Sequence, residues 1–226
     1  MKHDLREKIT KSPLCRSAAI LAGGKASRMG QDKQTLKRDG KLVVHQLIEQ
    51  LEPYFEEIIV VTKTAGLYQG QNVVLTQDKL PSRGPMSGIH AALSVANSPY
   101  VYITACDMPQ FDPRLFDLLL SELDTCHPCS GLAVERELKG RDGKTRLRPE
   151  IFHALYAHSL IPHLKKQILS QRSKVEVIMR EMGFHFLDEK KVRQVLPDWS
   201  VFNNINTPEE ACAAGIDLPG ATSHSF

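Results

Sequence analysis

At 226 residues the chain can bury one substantial core, which favours one domain over two. Apolar residues make up 42% and charged residues 24%, the balance of a soluble globular protein, and no apolar run approaches a membrane span. A formal net charge of +3 is too small to argue for nucleic acid. Residues 1–12 are polar and mixed in charge, without the apolar core of a signal peptide. Five cysteines, an odd number, argue against a disulfide framework, so a reducing cytoplasm is the expected compartment.

Residues 1–14 read as a loosely attached arm. An apolar run at 15–22 predicts the first strand, and Gly23 and Gly24 end it. Asp39-Gly40 is a tight-turn signal, which makes 34–38 and the residues after it a small hairpin. Leu42, Val43, Leu47, Ile48 and Leu51 recur at helical spacing before Pro53. The β-branched run 57–62 predicts a buried strand, and 72–76 a shorter one. A Pro/Gly loop from Asp78 to Gly88 leads into a helix reaching about 97, with Met86, Ile89, Leu93 and Ala96 on one face. Residues 100–105 form a central strand with Asp107 just past its end, and Pro113 starts another helix.

The second half is less regular. A strand is predicted at 130–135, then a basic hairpin at 136–148 around Asp142-Gly143. Residues 151–156 fit strand and helix equally. Amphipathic helices follow at 160–169 and 174–182, then a short strand at 184–187. Thr207-Pro208-Glu209-Glu210 is a capping box with Pro at the first helical position, and 217–226 reads as a tail. Strands alternating with helices of this length indicate βαβ units and a mainly parallel sheet.

In such a sheet, ligands bind beyond the carboxyl ends of the strands. The loop after the first strand carries Gly23, Gly24 and Gly30 with Lys25, Arg28 and Lys33. Glycines let backbone amides approach an anion, and Arg28 adds a planar fork suited to phosphate oxygens. The loop matches neither Walker A nor the dinucleotide fingerprint. Asp107, alone at a strand end and facing that loop, suits Mg²⁺ held beside nucleotide phosphates; otherwise it is a turn residue before Pro109. Asp78 matches the N1–H and amine of guanine in geometry, or is a turn residue before Leu80-Pro81. Asn204 and Asn206 alternate along an extended segment, so both amides face one side, towards a phosphate or as caps. Cys126-His127-Pro128-Cys129 lacks a second pair of metal ligands and follows a helix rather than opening one. Cys106 reads as a small buried residue. Lys139, Arg141, Lys144, Arg146 and Arg148 could meet a second anionic substrate, or form a solvated hairpin.

Together these motifs resemble the molybdenum cofactor guanylyltransferase family (MobA type) of the nucleotidyltransferase superfamily. The resemblance rests on Leu21-Ala22-Gly23-Gly24, Arg28-Met29-Gly30-x-Asp32-Lys33, Asp78-x5-Gly84-Pro85-x-x-Gly88, Cys106-Asp107-x-Pro109 and Asn204-x-Asn206-Thr207-Pro208-Glu209, and covers about 17–214. It implies a Rossmann-like three-layer αβα fold with a mainly parallel sheet, similar to nucleotide-diphosphosugar transferases, in a single domain over 1–226. It implies GMP transfer from GTP to molybdenum-loaded molybdopterin, with Mg²⁺ as cofactor and with molybdenum-insertion and acceptor molybdoenzymes as protein partners. By the resemblance, Leu21, Ala22, Gly23 and Gly24 cradle the nucleotide, and Lys33 and Arg28 neutralise phosphate charge. Asp78 and Gly84 hold guanine, Asp107 binds Mg²⁺, and Asn204 and Asn206 lie on the molybdopterin side.

The chain departs from the family at two places. Ala26 stands where a serine is usual, and Gly-Pro-Met-Ser-Gly replaces Gly-Pro-Leu-Ala-Gly. The competing readings are a related nucleotidyltransferase using CTP or another acceptor, and a non-catalytic nucleotide-binding delivery protein. Gly23 and Asp78 argue against the first, Lys33 and Asp107 against the second.

Overall fold

The computed structural model describes residues 12–23, 32–81, 84–140 and 142–217. Its centre is set by two strands, β1 (Ser17–Leu21) and β6 (Tyr100–Ala105), which are buried along their whole length. Such strands need cover on both faces, which is the condition of a parallel sheet flanked by helices. β4 (Glu57–Val61) pairs parallel with β1 on one side, and β5 (Val74–Thr76) pairs parallel with β4. β6 pairs parallel with β1 on the other side.

Beyond β6 the direction changes. β9 (Ala154–Ala157) runs antiparallel to both β6 and β7 (Gly131–Lys139), and β10 (His185–Asp188) runs parallel to β7. The order is β10-β7-β9-β6-β1-β4-β5, with β8 (Thr145–Pro149) antiparallel to β7. A second, two-stranded ribbon of β2 (Lys37–Arg38) and β3 (Lys41–Leu42) is the hairpin that Asp39-Gly40 predicts; both turn residues have positive φ. The α/β architecture is therefore as expected, with β9 resolved as a strand where 151–156 was ambiguous.

Helices α1 (Val43–Leu51), α2 (Met86–Val95), α3 (Pro113–Cys126), α4 (Ile161–Leu169) and α5 (Val175–Glu181) lie close to their predicted positions. Their apolar faces are buried: Val44, Leu47, Ile48 and Leu51 on α1, and Leu115, Phe116, Leu119 and Leu123 on α3. α2 packs on α4 and covers β1, β4 and β5, while α3 meets β7. Phe55, Tyr102, Phe111 and Phe116 form one aromatic cluster with centroids 4.7 to 6.2 Å apart. Offset or tilted pairs at such distances add about 0.5–1.5 kcal/mol beyond area burial.

Three details differ from the sequence expectation. Leu14, read as part of an arm, accepts a backbone bond from Tyr100, so its carbonyl extends the ladder between β1 and β6. Asp217, read as the first tail residue, donates its N–H to Lys37 O at 2.7 Å and accepts from Gly40 N at 3.0 Å. The expected short strand at 130–135 continues to Lys139, because β8 pairs with its outer half from Glu135 to Lys139.

Helix α6 (Glu189–Val195) was not expected, since only Val192 of its largely charged stretch is buried. The capping box is present at α7 (Pro208–Ala213): Thr207 Oγ accepts from Glu210 N, and Glu210 accepts from Thr207 N. A small second core of Leu36, Val43, Ile205, Ala211 and Ile216 joins the β2–β3 ribbon to α7. It brings chain segments far apart in sequence to one end of the sheet.

Candidate functional site

Register fixes where the site must be. Leu21 lies opposite both Val61 and Ala105, so β1, β4 and β6 finish level with one another. Everything that leaves those strands emerges at one edge: Ala22-Gly23 after β1, Lys63 after β4, Asp78 after β5 and Asp107 after β6.

Three of the expected residues meet there. The Lys33 ammonium donates to Asp107 Oδ2 and to Asn206 Oδ1, both at 2.6 Å, with the Lys33 and Asp107 side chains only 21% and 19% exposed. Lys33 opens a 3₁₀ turn, Lys33–Thr35, whose cap is the Asp32 carboxylate accepting from Gln34 N. Asp107 is fixed by the turn Met108 N to Ala105 O, and by Ile205 N donating to Asp107 O at 2.8 Å. Gln50 of α1 reaches the same loop, donating to Pro109 O and accepting from Phe111 N. Asn206 is held because buried Ile205 anchors the second core and Glu210 accepts from Asn206 N. Asn204, two residues earlier, is exposed and with Asn206 lines a cleft of about 560 Å³ that also includes Gln110, Ser200 and Phe202.

The first motif divides. Ala22 N donates to Val61 O and Cys106 N donates to Leu21 O, so Leu21 and Ala22 extend the ladder past the strand ends. The Ala22 amide is therefore engaged within the protein, which narrows its expected role in cradling the nucleotide. Gly23 is exposed and lies where the chain leaves the sheet. Gly24 and Arg28 lie outside the described residues, as does Ala26.

Asp78 stands apart from Lys33, across the sheet beyond β5. Its Oδ2 accepts from the buried Ser87 hydroxyl at 3.0 Å, and its Oδ1 is 3.8 Å from Lys63 Nζ. Gly84, with φ +101°, turns the loop between them, a conformation that a side chain would strain. At Gly88 the reason for glycine is space: an added Cβ would lie 3.2 Å from Leu21 Cδ1. The Pro/Gly loop and the end of β1 thus pack directly on each other.

Two supporting groups had no sequence signal. Gln34 is 4% exposed; its carbonyl accepts from Thr62 and Tyr68 hydroxyls at 2.7 and 2.9 Å, and its amide donates to Asp32. This ties the Lys33 turn to the end of β4. Burial raises the Tyr68 phenol well above its usual range, so it stays a donor. His153, fully buried with φ 53°, has Nδ1 2.6 Å from Tyr102 Oη and Nε2 3.4 Å from Thr104 Oγ. Burial pushes its pKa down to about 3, so the ring is neutral, and it also meets the Val201 backbone. It links β6, the strand that precedes Asp107, to the segment leading into Asn204.

The remaining candidates resolve differently. Burial, helped by the neighbouring Asp107 charge, raises the Cys106 thiol to about 12; it is a packing group, as its sequence context suggests. Cys126 and Cys129 have sulfurs 3.1 Å apart at the α3–β7 corner, where Tyr100 Oη donates to Cys129 O and accepts from Cys129 N. In the basic hairpin, Arg146 faces Asp142 and Arg148 faces Glu176, so local acids meet these arginines. Leu155 lies opposite both Tyr102 and Leu132, which puts Glu135 level with Ala105. Lys139 therefore projects roughly 13 Å past the edge that carries Asp107, at ~3.3 Å per residue.

The chain is similar to known proteins over most of its length. Residues 18–185 match the family model described as a MobA-like NTP transferase domain. A molybdenum cofactor guanylyltransferase of Syntrophotalea carbinolica is 34% identical over 194 residues, covering 86% of this chain and 88% of its own. A probable molybdenum cofactor guanylyltransferase of Peptoclostridium acidaminophilum is 31% identical over 204 residues, covering 86% of each chain. Among solved structures, molybdopterin-guanine dinucleotide biosynthesis protein A from Archaeoglobus fulgidus superposes with a TM-score of 0.73 at 25% identity, over 88% of this chain and 96% of that one.

Proposed function

The chain belongs to the MobA-like NTP transferase family, and on that premise we propose that it transfers GMP from GTP to molybdenum-loaded molybdopterin, releasing pyrophosphate. The observation that carries this reading is the Lys33 ammonium held between Asp107 and Asn206. An ammonium has three donors, and among the described residues two are taken, by Asp107 and Asn206; the third would reach a phosphate oxygen.

In the reaction, an oxygen of the molybdopterin phosphate attacks the α-phosphorus of GTP. A new P–O bond forms as the bond from the α-phosphorus to the bridging oxygen breaks, and the electron pair leaves with pyrophosphate. Little covalent chemistry falls to the protein, so catalysis is positioning plus charge neutralisation. Lys33 supplies a fixed positive charge beside the transferring group. Gly23, lacking a side chain, lets the nucleotide lie close to the backbone, and Gly24 and Arg28 are proposed to complete the phosphate contacts.

Mg²⁺ fits the donor set, because it is usually held by one or two carboxylates plus substrate phosphates, and Asp107 offers one partly exposed carboxylate. Asp107 would hold the ion, which would offset phosphate charge. On the acceptor side, the cleft lined by Asn204 and Asn206 adjoins Lys33 and would take molybdopterin, leaving the product for acceptor molybdoenzymes.

Asp78 supports guanine over cytosine or adenine. A carboxylate accepts from guanine N1–H and the 2-amino group, whereas the other two bases present a ring acceptor at the equivalent position. A binding titration tests the base assignment: GTP should bind more tightly than CTP and ATP, and tighter binding of CTP would replace the guanylyl reading with a cytidylyl one.

A further inference from the structure

We infer that Ser87 is a positioning residue for base selection, its hydroxyl holding the Asp78 carboxylate in the orientation that recognises guanine. The inference rests on the proposed role of Asp78 as the guanine acceptor and concerns a residue outside the phosphate machinery.

Ser87 is the second residue of α2 and is 1% exposed. Its hydroxyl spans the 78–87 loop to donate to Asp78 Oδ2 at 3.0 Å. Alanine, the smaller residue in the related Gly-Pro-Leu-Ala-Gly pattern, has no donor to offer there. Among the described residues the carboxylate's other contact is loose: Lys63 Nζ lies 3.8 Å from Oδ1, and the lysine side chain is 78% exposed.

A carboxylate end rotates easily, because the terminal torsion of Asp is broad and roughly two-fold. The rigid partner must therefore come from the buried side. Ser87 provides it from a helix whose Met86, Ile89, Ala92 and Leu93 are packed in the core. One donor on Oδ2 occupies one lone pair and leaves acceptor capacity on both oxygens, so Asp78 can still take two donors from a base edge. The hydroxyl thus sets the plane of the carboxylate without competing for guanine. Gly88, packed on Leu21, and Gly84, at positive φ, hold the two ends of the same loop against the strand edge.

The test combines Ser87→Ala with Asp78→Asn, singly and together, measuring pyrophosphate release with GTP and with ATP at saturating molybdenum-loaded molybdopterin. Alanine is a good helix former, and melting temperatures check that each variant folds. The expected result for Ser87→Ala is a rise in KM for GTP of about tenfold with kcat within about twofold, which removes uniform binding. GTP-to-ATP selectivity should fall by the same factor, and adding Ser87→Ala to Asp78→Asn should cost no further selectivity.

If Asp78→Asn loses selectivity and Ser87→Ala keeps it, the role of Ser87 is overturned while the reading of Asp78 stands. Losses that simply multiply in the double variant would also overturn it, because Ser87 would then act by another route. If Asp78→Asn keeps full selectivity, the base reading fails and this inference falls with it.

Discussion

Lys33 and Asp107 lie 74 residues apart in sequence, yet their charged atoms meet at 2.6 Å where the strand ends converge. Neither residue could hold that position alone. Lys33 rides on a short turn tied to β4 by Gln34, and Asp107 on a loop pinned by Gln50 and Ile205. The pair brings together the residue proposed for phosphate and the residue proposed for the metal.

Asp107→Asn should cut transfer by about 10²–10³-fold, the scale of losing one preorganised electrostatic contact. The amide keeps the side chain's shape and one acceptor for Lys33, so the fold should persist. Steady-state turnover and a thermal melt read the two effects separately. Near-normal turnover would remove Asp107 from the metal and phosphate role.

Gln34→Leu is predicted to destabilise the protein by about 1–3 kcal/mol, the cost of leaving buried partners unsatisfied. Thr62 and Tyr68 each lose their acceptor, and Asp32 loses the amide. Because the same side chain ties down the Lys33 turn, kcat should fall as well. Urea unfolding with parallel kinetics checks both, and a stability loss with kcat intact would make Gln34 purely structural.

His153 predicts a particular pH dependence. Its folded pKa of about 3 lies below the ordinary histidine value of 6.5, because burial disfavours the charged ring. Between those values the unfolded chain binds a proton that the folded chain does not, so stability is lost as pH falls from 6.5 and rises as pH increases through that window. His153→Gln should flatten the stability-against-pH curve between about pH 4.5 and 6.5, where carboxylates contribute least. An unchanged slope in denaturant titrations would show that the ring is not held neutral. His90, also lowered by burial, contributes in the same window and is common to both proteins.

Asn204 and Asn206 should separate under substitution. Asn206→Ala removes an acceptor from Lys33 and should lower kcat as well as raise KM for molybdopterin. Asn204→Ala, at an exposed position lining the cleft, should raise KM for molybdopterin with kcat little changed. Equal effects on kcat would contradict the distinct placement of the two amides.

How much of this was legible beforehand depended on the kind of signal. β1, β4 and β6 are short apolar runs buried on both faces, and such runs read clearly. α7 announced itself through its capping box. α6 did not, because a surface helix with one buried residue has almost no periodicity to read. β9 was ambiguous because it is only four residues long, and His153 just before it adopts a left-handed φ that no pattern of polarity encodes.

The placement of the candidate residues at strand ends was readable because a parallel sheet brings the ends of its strands to one side, where ligands usually bind. Gln34 and His153 were not, since a buried polar residue looks like a surface one until its partners are in place. Ser87 was visible only as a departure from the family motif; its contact with Asp78 needed the fold. The engagement of the Ala22 amide by Val61 likewise depends on register rather than on residue type.

The central claim is tested most directly by pyrophosphate release from purified protein supplied with Mg²⁺ and each nucleotide, with and without molybdenum-loaded molybdopterin. Release with GTP should require molybdopterin and yield a guanine dinucleotide product. Release with CTP but not GTP, or none with any nucleotide when molybdopterin and Mg²⁺ are both supplied, would contradict it.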